Sequence, residues 1–303
     1  MHYLMQVGRK INKSKYLYIM LIPMVLYYVL FHYIPMYGAQ IAFRDYLPSI
    51  GIWESPWVGL TYFKQFFNSV YFGRLMRNTL LINLYDLLVG FTFTIILALL
   101  INEVTSRRHK RFVQTVLYMP HFISVVVLAG LVVSFLSPSG LINNMISLLG
   151  GDPIRFMQEK SWYRTIFVFS GIWQDSGWGT IIYLAALANI DVSLYEAAIA
   201  DGASRFKRML YITIPCILPT VIVMLILRMG NIFTVGFEKT MLLYNELTYE
   251  TADVISTYVY RRGIIGAEYS FSTAVGLFNS VLNLATILVF NAISRKVNDV
   301  GLW

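Results

Sequence analysis

Three ionisable residues, Asp86, Asp175 and Arg228, interrupt runs of apolar sequence long enough to be buried in hydrocarbon. A charge there is expensive and marks a candidate functional position. Asp175 lies in "GIWQDSGWGT", where Trp173, Gln174 and Trp178 surround it. On a helix, Gly171, Asp175 and Trp178 fall on one face, and Gln174 also sits one turn before Trp178. Flat aromatic rings beside planar polar groups suit a sugar, which has an apolar ring face and a rim of hydroxyls. Arg228 and Asn231 share a helical face, with Met224 one turn earlier; Asn279 and Asn283 are spaced four apart. Trp173, Gln174, Asp175, Trp178, Arg228 and Asn231 are therefore the candidate lining of a solute path. Blander roles stand beside this one. Asp175 could cap or pair near a water interface, Arg228 could pair with a partner's carboxylate, and Asp86, one turn after Asn83, could join helices by hydrogen bonding.

No catalytic or metal constellation is legible. The four histidines, His2, His32, His109 and His121, lack metal-ligand spacing, H-E-x-x-H is absent, and no Ser/His pairing stands out. Cys216 is alone, which excludes an intrachain disulfide and a multi-cysteine metal site. There is no G-x-x-x-x-G-K-[ST] phosphate loop, so any ATP that powers this chain is hydrolysed elsewhere.

The elements that must hold these residues are membrane helices. Apolar residues are 57% of the 303, and charged residues only 13%, against about 25% charged in a soluble domain. Six segments approach the roughly 20 apolar residues that a spanning helix needs. They are 16–37, 79–101, 112–135, 163–187, 217–236 and 271–293. The apolar core of the first exceeds a signal-peptide core, and it is read as an uncleaved helix. The net charge of +8 belongs beside these spans rather than to nucleic acid. Thirteen Lys and Arg fall at the two termini and in the 102–111 and 188–216 loops, against ten in the longer opposite loops. That bias puts both termini and the 188–216 loop in the cytoplasm. The opposite loops, 38–78 and 237–270, are rich in aromatics. Trp53, Trp57, Tyr62, Phe63, Phe66 and Phe67 are expected at the membrane surface, as an interfacial belt, or on a partner.

One segment is too polar to span. In "SLYEAAIADGASRFKRMLYITIPCILPT", Tyr195 to Ala200 and Phe206 to Ile212 each have short helical patterns, with Gly202 between them where a tight turn is easiest. Pro215 is expected to open the next span, where a missing backbone donor costs least. The reading is a short helix–turn–helix whose small residues allow close approach by another protein, or else a plain surface connector.

The pattern Glu196-Ala197-Ala198, three residues, Gly202, nine residues, Ile212-x-Ile214-Pro215 resembles the EAA signature of permease subunits of binding-protein-dependent ABC importers. Ile214 stands where that family usually has Leu, and Asp201-Gly202-Ala203 matches its usual "DGA". With "RMGNIFTVGFEKTMLLYN" and "TADVISTYVYRRGI", the resemblance extends over most of the chain and points to the LplB-type branch of the maltose-like carbohydrate permeases. It implies an all-α, polytopic membrane protein of six transmembrane helices, a single transmembrane domain over 1–303 with a cytoplasmic coupling loop at 190–215. Glu196, Ala197, Ala198, Asp201, Gly202, Ala203 and Pro215 would couple that loop to an ATPase. It further implies a non-hydrolysing subunit of a bacterial cytoplasmic-membrane importer, moving a carbohydrate, an oligosaccharide more than a monosaccharide. Its partners would be a second permease, two ATPase subunits that bind ATP and Mg, and an extracellular solute-binding lipoprotein. The chain itself would need no cofactor. The alternative is a secondary transporter or channel for a polar solute, which calls for titratable relays or inverted repeats. Few of the former and none of the latter are visible.

Overall fold

A computed structural model describes residues 14–303; the N-terminal basic residues Arg9, Lys10 and Lys13, and His2, lie outside the described residues. Within them the chain is helical almost throughout, and the only strand-like pairing is one antiparallel bridge, Arg44 to Trp57.

Helix α1 (Lys15–Phe43) leaves its side chains exposed over most of its length and packs on the rest of the chain only through its last turns. After α2 (Thr61–Phe67), α3 runs over Phe72–Glu103 and widens into a π-helical turn at Asp86–Phe91. The segment expected as one straight span at 112–135 is instead two helices, α4 (Arg107–Phe122) and α5 (Val125–Phe135), meeting at 98°. The cause is local. Pro120 has no N–H to continue the ladder, Ile123 turns extended, and the Ser124 hydroxyl caps α5 by accepting from the Val127 N–H. Helix α6 (Leu141–Leu148) follows, then α7 (Tyr163–Ala188), which turns by 70° into the short α8 (Val192–Ala200).

Helix α9 (Arg205–Met229) corrects a second expectation. Pro215 does not begin it. The helix starts ten residues earlier and passes through the proline by means of a π turn at Met209–Thr213. The wider turn bonds Ile214 N–H to the Met209 carbonyl, which takes up the misfit that a proline imposes on the preceding turn. Helix α10 (Phe237–Leu243), α11 (Ile255–Tyr260) and the 30-residue α12 (Tyr269–Asn298) complete the chain. Among the described residues four helices, α1, α3, α9 and α12, are long and apolar enough to cross a membrane, and six crossings result if each bent pair counts as one. The protein is an all-α, polytopic membrane protein.

Helices in lipid associate through close packing rather than hydrophobic burial, which favours small residues at contacts. Gly177 of α7 lies so close to the Leu117 backbone of α4 that a Cβ would overlap the carbonyl, and a Cβ at Gly179 would come within 2.9 Å of Thr94. The aromatic loops form a compact cap over one end. Phe66 packs there with Leu75, Tyr258 and Phe271, so it is a core residue and not part of an interfacial belt. Trp53 and Trp57 are exposed and flank the Arg44 guanidinium at 5.8 and 5.6 Å. Asp253 is fully buried beneath this cap. It pairs with Arg74 at 3.2 Å and Arg261 at 2.7 Å, and accepts from the Thr257 hydroxyl. Asn78 donates to the Asp253 and Glu250 carbonyls and accepts from Arg164. This network ties α3 and α7 to the 245–265 segment, and so fixes the elements around the cavity below it.

Candidate functional site

Two assemblies matter: a polar cavity among α3, α7, α9 and α10, and the α8 turn.

The cavity has a volume of about 280 Å³. Asn83 and Asp86 reach it from α3, Gly171 and Asp175 from α7, Arg228 from the end of α9, Asn231 from the turn beyond, and Lys239 from α10. Arg228 forms an ion pair with Asp86. The π turn at Asp86–Phe91 and Gly90 make room for that carboxylate, since a Cβ at position 90 would come within 2.7 Å of its Oδ1. Asp175 Oδ1 lies 3.0 Å from His121 Nδ1, and its carboxylate is otherwise open.

Residues 230–236 leave helical geometry beside this cavity, and non-helical backbone at such a place must be satisfied by protein. The Asn83 amide donates to the Ile232 carbonyl at 2.9 Å, Asn283 accepts from the Phe233 N–H at 3.0 Å, and the Asn283 amide donates to the Thr234 hydroxyl. Asn83 and Asn283 thus hold the irregular segment that presents Asn231.

Lys239 donates to the Phe167 carbonyl at 2.7 Å and sits 4.6 Å from the centre of the Phe167 ring. Among the described residues no carboxylate lies within ion-pair distance of it. Burial pushes its ammonium down to about 8, with the nearby charge of Asp175 pulling the other way.

The six candidate path residues separate. Asp175, Arg228 and Asn231 line the cavity together. Trp173 points away from Asp175, as two residues' separation on a helix requires, and borders a different, apolar cavity with Leu131, Phe135 and Phe169. Gln174 is buried at the α4–α5 break and donates to the Ile123 carbonyl. Trp178, on the Asp175 side but about one turn further along, stacks on the His121 ring with centroids 4.7 Å apart. The aromatic side chain bordering the cavity is Phe167. Sequence reasoning missed Lys239 and His121. The signal for Lys239 was present: it is the lone cation between Arg228 and Arg261.

At the opposite end of α7, Asp191 caps α8 by accepting from the Ser193 N–H at 2.9 Å. That bond holds its carboxyl below the usual range. The helix ends in a Schellman turn. Gly202 has φ +74°, the Ala203 N–H reaches the Ala198 carbonyl and the Gly202 N–H reaches Ile199. Ser204 then caps α9, accepting from Lys207 N–H at 3.4 Å. The Tyr195 and Thr213 hydroxyls, 2.9 Å apart, tie α8 to the buried flank of α9. Glu196, Ala197, Asp201, Gly202 and Pro215 are exposed, and Ala198 and Ala203 half-buried. Beside them Val192, Ile199, Phe206 and Tyr211 also stand exposed. The turn is rigidly attached, and it presents an apolar face outside the bundle.

Residues 90–299 match the family described as "Binding-protein-dependent transport system inner membrane component". Over 97% of its length the chain is 47% identical to Protein LplB of Bacillus subtilis, covering 92% of that protein. It is 42% identical to the polygalacturonan/rhamnogalacturonan transport system permease protein YteP of the same organism, at the same coverage of both. Among solved structures, a chain of a bacterial ABC transporter involved in import of the acidic polysaccharide alginate superimposes with TM-score 0.90 at 46% identity, over 97% of this chain and 99% of that one. A bacterial alginate ABC transporter in complex with an alginate pentasaccharide-bound periplasmic protein contains a chain that superimposes with TM-score 0.89 at 45% identity, over the same shares. The family match takes in most of the chain, the α8 turn included, so this chain belongs to the family of inner-membrane components of binding-protein-dependent transport systems.

Proposed function

We propose that this chain is one permease subunit of an ATP-driven importer of carbohydrate, with an oligosaccharide as the solute. The observation that carries the reading is α8: a capped, rigidly turned helix with exposed apolar residues, joined directly to α7 and α9, whose other ends border the polar cavity. A partner that moves α8 therefore moves the cavity wall. ATPase subunits bind ATP and Mg and seat on Glu196 to Ala203; this chain holds no cofactor. Both termini and α8 face the cytoplasm of a bacterial cell. A second, different permease supplies the other half of the path, and a solute-binding lipoprotein delivers the sugar to the aromatic cap outside. Asp175, Arg228 and Asn231 offer the hydroxyl-matching groups. Support comes from the polysaccharide names of the relatives and from the pentasaccharide-bound protein in the alginate complex.

The test is uptake in proteoliposomes holding both permeases and the ATPase. Oligosaccharide should accumulate only with internal ATP and external binding protein. Uptake driven by an ion gradient without ATP would favour the secondary-transporter reading.

A further inference from the structure

We propose that Lys239 receives a carboxylate of the transported solute, which makes the substrate class an oligosaccharide containing uronic acid residues. The inference rests on the importer reading above and deepens it.

Two basic side chains, Arg228 and Lys239, line the cavity, and they differ. Arg228 is already neutralised by Asp86. Asp175, the other carboxylate, is hydrogen-bonded to His121. Lys239 is left with a backbone carbonyl and a ring face. An ammonium has three N–H donors, and among the described residues only one of those on Lys239 has an acceptor. Taking a cation out of water is unfavourable unless it is paired and its donors are met. A sugar hydroxyl can meet a donor but brings no charge, whereas a carboxylate meets the donor and adds a direct ion pair, which Asp175 acts too far away to form and no other carboxylate among the described residues supplies.

Position 171 supports the placement. A Cβ there would lie 3.0 Å from Lys239 Nζ, so glycine at this point of α7 clears the space in which the ammonium sits. Lys239 comes from α10, Asn231 from the turn after α9, and Asp175 from α7. A sugar unit held by its carboxylate at Lys239 would thus have Asn231 and Asp175 along the cavity wall for its hydroxyls.

The complete importer, with its ATPase and binding protein, would be assayed for ATP-driven uptake of trimeric galacturonate and trimeric mannuronate. Each is offered as the free acid and as its methyl ester, which keeps the ring and removes the charge. Because the binding protein is unchanged between variants, a change in the acid-to-ester ratio reports the permease. The wild type should take up at least one acid in preference to its ester. Lys239→Gln should cut that ratio by about tenfold, the worth of a charge-assisted hydrogen bond, and Lys239→Arg should restore most of it. If Lys239→Gln fails to assemble, Gly171→Ala keeps the charge while crowding the ammonium, and should lower the ratio. An unchanged ratio in the assembled Gln variant, or in Gly171→Ala when Gln fails, overturns the inference. So does a wild type that takes up neither acid; continued ATP-driven uptake of neutral oligosaccharide would then leave the importer reading standing.

Discussion

The α8 turn and the charged cavity are stabilised in opposite ways. At the turn nearly every bond is local: Asp191 to Ser193, Ala203 to Ala198, Ser204 to Lys207. Its one longer tie is Tyr195 to Thr213. The cavity is held by bonds that span the sequence, His121 to Asp175, Lys239 to Phe167, Asn83 to Ile232 and Asn283 to Phe233. A local device can be altered while the bundle stands. An assembled one transmits a change at any contributor to the others, because packed interiors do not deform continuously. The turn is therefore suited to contact a moving partner, and the cavity to respond as a unit.

The difference can be broken most forcefully at the α4–α7 contact. Gly177→Val would drive its side chain into the Leu117 carbonyl, displacing α4 with His121 and unseating both Asp175 and Trp178. Overpacking of this kind costs about 1–3 kcal/mol; here backbone must move, which places the effect at the upper end. Loss of the monodisperse peak in size-exclusion chromatography is expected.

Next is the ion pair. Arg228→Ala strands the Asp86 carboxylate, which is mostly buried, and about 1–3 kcal/mol of stability should be lost. Adding Asp86→Ala should return part of it, read as a coupling in a double-mutant thermal-melting cycle. Losses in the double variant equal to the sum of the two single losses would show that the pair holds nothing together.

Gly202→Val should behave differently. Its φ of +74° disfavours a β-branched residue, yet no atom lies within 4 Å of the added Cβ. The penalty is backbone strain of about 1–2 kcal/mol, confined to the turn. Membrane insertion should be normal, while transport-coupled ATP hydrolysis is lost. Full coupling in this variant would separate Gly202 from the partner contact.

The last test is a pH dependence. Lys239 is held at about 8 against an ordinary value of 10.5, so between these values the unfolded chain binds more protons than the folded one. Thermal stability should then rise with pH across that window, and the Lys239→Gln variant should lack the increment. Asp175 is the charge that opposes the shift; replacing it with Asn should widen the window downwards.

The spans and the turn were legible because their signals are contiguous. Hydropathy runs mark helices, and Gly202 between two short helical patterns marks a turn whose φ is set locally. The break at Pro120 and Ser124 was visible in the residues too, but unbroken hydropathy across 112–135 masked it. Pro215 misled because a proline read alone suggests a helix start, and the π turn that absorbs it leaves no compositional trace. The cavity was only half legible. Asp175, Arg228 and Asn231 stood out as polar residues in apolar runs. Lys239 did not, because it comes from an aromatic loop and reaches the cavity only through the fold. Helical periodicity joined Trp178 to Asp175 correctly by face, but could not show that His121 covers its ring.

The central claim is that α8 is the seat of a cytoplasmic ATPase. A single cysteine at Ala197, an exposed position, in a Cys216→Ser background tests it in one labelling measurement with a membrane-impermeant maleimide. Labelling should occur in inside-out vesicles stripped of the ATPase, fall sharply when the ATPase is added back, and be absent from intact cells. Labelling of intact cells, or equal labelling of stripped and reconstituted vesicles, would contradict the account.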